Sequence, residues 1–180
     1  MELHNGEILL SREDVMNIPE RLLPMVVLSD NLRSFFSMAI KAHETGCYNH
    51  LMWLIRPGVI ASQNLTFQAQ PVRDYFNGFR MKFWHCPTWT AEQRNTIINT
   101  IESDLKKPWY RRIYDFPAII GQAIGITSIQ TPGIDICSDK AKYLELVDLY
   151  YCLKHPSPEQ VNHWLMERRE YEVYGRYIPD

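Results

Sequence analysis

The residues best suited to covalent chemistry are the four cysteines, Cys47, Cys86, Cys137 and Cys152, and a few of the six histidines. Cys137 has the most useful surroundings. It follows the turn signal Pro132-Gly133 and opens a stretch whose apolar residues Ala141, Leu144 and Val147 recur at helical spacing. A thiol at a helix N-terminus feels about half a positive charge from the aligned peptide dipoles. That field favours thiolate and supplies a nucleophile near neutral pH. The same helix end offers N–H groups to a developing oxyanion. The competing reading is a buried structural cysteine, the usual fate of a free thiol. His50 opens the apolar run Leu51 to Ile55. An imidazole held at a strand edge suits a general base, and the competing reading is a rim histidine with a satisfied hydrogen bond. His43, in a helix tail, His85, at a strand end, and His155 and His163, in the C-terminal segment, are less suggestive.

Secondary structure must bring these groups together. Pro24-Met25-Val26-Val27-Leu28 reads as a short buried strand. A helix over 31–45 is expected next, capped by Asp30 and stopped by Gly46. His50 to Ile55 reads as a strand buried on both faces, Arg56-Pro57-Gly58 as a turn, and Val59 to Ser62 as the returning strand. Phe79 to Trp84 alternates as a further strand. Thr90 and Gln93 form a capping box for a helix that carries Ile97, Ile98, Ile101 and Leu105 inward and ends at Pro108. A long irregular stretch runs from Tyr114 to Gly133, a helix begins near Cys137, and Ser157-Pro158-Glu159-Gln160 opens a last one. Tyr171, Tyr174 and Tyr177 read as a tail packed on the body, with a docking patch as the alternative. This order is α+β and not an alternating βαβ pattern.

The bulk numbers are compatible with a single domain. The chain has 180 residues, 46% hydrophobic and 22% charged, a globular balance. A formal net charge of -2 provides no global positive field for nucleic acid. No apolar run approaches the roughly 18 residues that span a bilayer. The N-terminus lacks a basic region followed by an apolar one, so no signal peptide is expected, and a cytoplasmic setting with free thiols is the default. The cysteines form no CxxC pair, so neither a structural zinc site nor any cofactor is expected.

Taken in order, these pieces resemble the NlpC-type papain-like hydrolases, specifically their circularly permuted branch with YiiX-like and lecithin:retinol-acyltransferase-like members. That branch has a strand, a helix and a Tyr-Ser-His or similar element leading into an apolar strand. Here Tyr48-Asn49-His50-Leu51-Met52 follows the segment 31–45. The family places its cysteine late, in a Cys-Ser element at a helix start, and this chain has Ile136-Cys137-Ser138-Asp139. Its Tyr-Asp dipeptide is matched by Tyr114-Asp115, and Asp139 departs from the usual Glu or Gly. The resemblance spans roughly residues 22–150 and implies one permuted papain-like domain, a small antiparallel sheet packed against helices, with a C-terminal helical extension over 151–180.

The same resemblance implies Cys137 as nucleophile, His50 as base and Tyr114 near the oxyanion site. A third polar group should lie on the strand after His50 and orient its ring. Ser62 and Gln63 are the candidates, and neighbouring strand residues face opposite sides, so one of them can serve. Gln63 is expected, for its reach and its carbonyl acceptor. The implied reaction is hydrolysis or acyl transfer at a peptide, amide or lipid-ester bond through an acyl-cysteine, with a bacterial or phage cell-wall amidase preferred. The alternative is a papain-like binding or structural module without chemistry.

Overall fold

The computed structural model describes residues 7–31, 47–113, 137–147 and 156–179. Six strands form one sheet: β1 (Met25–Asn31), β2 (His50–Arg56), β3 (Val59–Gln63), β4 (Phe67–Pro71), β5 (Phe79–His85) and β6 (Glu172–Tyr177). Their order across the sheet is β4-β3-β2-β1-β5-β6, and every neighbouring pair is antiparallel. The helices are α1 (Arg12–Met16), α2 (Ala91–Leu105) and α3 (Pro158–Glu167), with a ten-residue 3₁₀ helix over Cys137–Leu146. The protein is therefore α+β.

Side-chain alternation gives the sheet two buried faces. Leu51, Trp53 and Ile55 of β2 pack with Ile97 and Ile101 of α2, Val161 and Leu165 of α3, and Tyr143 and Leu144 of the 3₁₀ helix. This is the helix face. Met52 and Leu54 point the other way, into a cluster with Leu10, Val15 of α1, Ile18, Val72 and Tyr75. This second side is the loop face. β1 and β2 read as continuous apolar runs because both of their faces are covered.

Local chemistry explains the termini of the helices. A capping box forms at each α-helix, Ser11 with Asp14, Thr90 with Gln93 and Ser157 with Gln160, and Pro158 occupies the first turn of the last. Gly58 takes φ 69°, so the β2–β3 turn requires a residue without a Cβ penalty.

Three expectations change, and one strand went unread. The segment at Cys137 is 3₁₀ and not α, although it buries Ala141 and Leu144 as the spacing implied. β1 runs on through Asn31, and the Asp30 carboxylate within it pairs with Arg80 and accepts from Asn49 Nδ2 at 3.1 Å. β4 was not legible: Phe67 is buried, while the rest is a polar edge ending in Pro71. The C-terminal extension is not wholly helical. Its tyrosine segment is β6, paired along β5 and bridged by Leu9 at Arg176. Gly175 permits that bridge, because a Cβ there would meet Ile8 O at 2.8 Å and Leu10 side-chain atoms at 2.7 Å. The expected helix over 31–45 lies outside the described residues beyond Asn31.

Candidate functional site

The approach to β2 is tied down from three directions. Glu159 Oε2 on α3 accepts from the backbone N–H groups of Cys47 at 2.7 Å and Tyr48 at 3.1 Å. Asn49 N donates to Ser29 O on β1 at 3.1 Å. The 3₁₀ helix adds its start, with Cys137 Sγ 4.0 Å from the Asn49 carbonyl oxygen. Further along, the indole of Trp53 donates to Lys140 O at 3.0 Å. Cys137 is thus held at the N-terminal end of β2, where the residue is buried at 4% exposure. Such a thiol meets substrate only if a side chain or the substrate itself opens the approach.

His50 is part-buried and begins β2. The pleat sends its imidazole to the side of Met52 and Leu54, the loop face. There Nε2 lies 2.9 Å from Ser62 Oγ. Ser62 is registered opposite Met52 and therefore shares this face. Burial pushes the His50 imidazole down to about 4, so the ring is neutral at neutral pH. It has a lone pair available for a thiol proton. It does not form a standing imidazolium partner for a thiolate.

The orienting contact corrects the expectation of Gln63. That residue is registered with Ala61's side of β3 and faces the helices, where Nε2 donates to Arg112 O at 2.9 Å. Its Oε1 is buried without a hydrogen-bond partner. Alternation allowed one of the two residues to reach the ring, and the pleat of β2 decided for Ser62 against the longer side chain. Tyr114 lies outside the described residues.

The structure therefore joins His50 to Ser62, and Cys137 to the backbone just before His50. It leaves the imidazole and the thiol addressed to different faces of the sheet. Sequence reading missed the groups behind Ser62. Asn64 Nδ2 donates to Tyr75 Oη at 3.1 Å, and Ser62 Oγ donates to Asn64 Oδ1 at 3.3 Å. Gln70 Nε2 donates to Tyr75 as well. Asn64 could have been suspected from its i+2 relation to Ser62. Tyr75 sits in a 3₁₀ turn after β4, and no local signal connects it to His50. Ser29, registered directly opposite His50, has a buried Oγ with no hydrogen-bond partner.

Among the described residues no group of three or more His, Cys, Asp and Glu side chains is arranged to hold a metal ion, and no helix is long and apolar enough to cross a membrane. No protein-family model matches the chain, and no curated protein matches it significantly.

Proposed function

We propose that the chain is a cysteine-dependent hydrolase or acyltransferase of the permuted papain-like type, with Cys137 as nucleophile, His50 as base and Ser62 positioning His50. The supporting observation is the 4.0 Å approach of Cys137 Sγ to the Asn49 carbonyl. Standard bond lengths put that oxygen about 2.8 Å from the next Cα. The sulfur is then within about 7 Å of the Cα that carries the imidazole, so the pair meets once the His50 side chain leaves Ser62 and turns toward the helix face.

The neutral ring takes the thiol proton as Sγ attacks the carbonyl carbon of an amide or ester. The tetrahedral intermediate collapses as the imidazolium returns that proton to the leaving amine or alcohol, which leaves an S-acyl cysteine. Water, or an acceptor nucleophile in a transferase, gives its proton to His50 and attacks the thioester. Sγ departs and regains the proton. The substrate is a peptide, amide or lipid ester, with a cell-wall amide preferred on the resemblance alone.

A second reading has its own observation. The imidazole is engaged with Ser62 on the loop face, away from the helix that carries Cys137, which favours a papain-like module that binds without chemistry. Acylation separates the two. The chain is mixed with p-nitrophenyl acetate, and the adduct is located by peptide mass. The hydrolase reading expects acetyl on Cys137 in preference to the exposed Cys47, with His50→Ala slowing the reaction by about 10²-fold or more. An adduct confined to Cys47, or a rate at Cys137 indifferent to His50→Ala, overturns it in favour of the module.

A further inference from the structure

The turn that follows α2 exposes the residue types that the rest of the fold buries. Every residue from Lys106 to Arg111 is exposed. Trp109 is 67% and Tyr110 54% accessible, and among the described residues no other Trp, Tyr or Phe is as open. Trp53, Trp84 and Trp89 are buried, and Trp164 is half-buried.

This exposure is built into a pinned turn. Arg111 N donates to Pro108 O and Arg112 N to Trp109 O, both at 2.9 Å. The Arg112 carbonyl accepts from Phe67 N at 2.7 Å and from Gln63 Nε2 at 2.9 Å. Arg112 Nη1 donates to Phe67 O at 2.9 Å, and Ile113 bridges Thr66. The rings are therefore held outward by bonds to β3 and β4.

The charge around them has one sign. Lys106, Lys107, Arg111 and Arg112 flank the two rings along the chain, whose formal net charge is -2. The carboxylate nearest in sequence, Asp104, is buried and pairs with Lys107. Among the described residues Lys106 and Arg111 have no carboxylate partner.

Exposed Trp and Tyr between cations match a membrane surface in polarity and in charge. Their rings suit the boundary of headgroups and acyl chains, where an apolar body and a polar tip are both satisfied. Lys and Arg suit the negative potential of anionic headgroups. Nucleic acid shares that charge but not the ring geometry. Trp109 and Tyr110 stand edge to face, with centroids 6.2 Å apart and planes at 83°, so they offer no common platform for successive bases.

We infer that the turn from Lys106 to Arg112 is a docking surface for an anionic lipid bilayer. Trp109 and Tyr110 enter the headgroup region, and Lys106 and Arg111 meet the lipid phosphates and carboxylates. This surface is independent of the chemistry proposed at Cys137.

The full chain is sedimented with vesicles of two parts phosphatidylcholine to one part phosphatidylserine. Binding is expected to be far tighter than to pure phosphatidylcholine and to weaken steeply with added salt. Lys106→Gln and Arg111→Gln should each cost about fivefold in affinity, and Trp109→Ala about tenfold or more. Trp109→Phe keeps an apolar ring and most of the binding. Phosphatidylcholine brominated in its acyl chains should quench tryptophan emission in the wild type and not in Trp109→Phe, because the other indoles are covered. A thermal melt verifies that each variant folds. Absence of binding to the anionic vesicles overturns the inference and leaves the turn a solvated helix end. Affinity that Lys106→Gln, Arg111→Gln and Trp109→Ala all retain, or quenching that survives Trp109→Phe, overturns it in favour of another face. Tight binding of a single-stranded RNA oligonucleotide, with none to the vesicles, overturns it in favour of nucleic acid.

Discussion

His50 and Lys82 lie on opposite faces of one sheet, and the two faces bury polar groups by different means. On the loop face the groups around His50 are uncharged. Ser62, Asn64, Tyr75 and Gln70 exchange neutral hydrogen bonds, and burial keeps the imidazole neutral too. On the helix face, β5 and β6 carry Lys82 and Arg176 side by side in register. Glu7 answers both. Arg176 Nη2 and Nε each lie 2.7 Å from a Glu7 oxygen, Lys82 Nζ lies 3.4 Å from Glu7 Oε1, and the ammonium sits 4.4 Å from the Trp84 ring centroid. Burial pushes Lys82 down and Arg176 pushes it further, while Glu7 draws it back up. A neutral network can be rearranged one proton at a time. A buried ionic cluster fails as a unit when its counter-charge is removed.

That contrast is easiest to break at Glu7. Glu7→Gln leaves Lys82 and Arg176 buried with their shared carboxylate gone. We expect a loss of about 3 kcal/mol or more in urea unfolding, the scale for an uncompensated buried charge. A loss below about 1 kcal/mol would mean that the cluster is solvated and the contrast between the faces is false.

Acid should act on the other face. The folded His50 titrates at about 4 against 6.5 for the ordinary group. Between those values the unfolded chain binds a proton that the folded chain refuses, so stability rises with pH across the window. His50 therefore costs the fold nothing above pH 6.5 and progressively more as the pH falls toward about 4. His50→Gln should flatten the stability–pH curve there, in denaturant titrations at several pH values. An unchanged slope would show that the ring is solvated.

Smaller effects test the arrangement around the imidazole. Ser62→Ala removes a hydrogen bond worth roughly 1 kcal/mol and should slow Cys137 acylation about five- to tenfold, while Gln63→Ala leaves the rate within about twofold. The reverse order would restore Gln63 as the orienting group. Ser29→Ala should be the mildest. Its hydroxyl is buried without a partner, so its removal should leave the melting temperature unchanged or slightly raised. A clear drop would reveal a bond that Ser29 makes in solution.

Much of this was legible where the determinant is local. The capping boxes at Thr90 and Ser157, the turn at Gly58 and the apolar runs of β1 and β2 depend on residues within a few positions of one another. The pair Ser62 and Gln63 came from the resemblance, and strand alternation said only that one of the two can serve. β6 was hidden because Tyr171, Tyr174 and Tyr177 repeat every third residue, a helical spacing, while Gly175 is there for a contact with the N-terminal segment. The polar edge strand β4 gave no period to read.

The sequence by itself determined the α+β class, the two capped helices, the strand that His50 opens and the pair of residues from which its partner comes. The elements follow from backbone sterics, periodicity and hydrogen bonds that close over three or four residues, and the pair follows from the resemblance. Tertiary structure decided which of the pair meets the ring, because the face of β3 that His50 sees depends on the register of β2 against β3. It also decided that Tyr75, from beyond β4, would accept from Asn64 behind Ser62, and that Cys137 would arrive beside the Asn49 carbonyl from 88 residues away. Such contacts are fixed by how whole elements pack, and no window along the chain contains both partners.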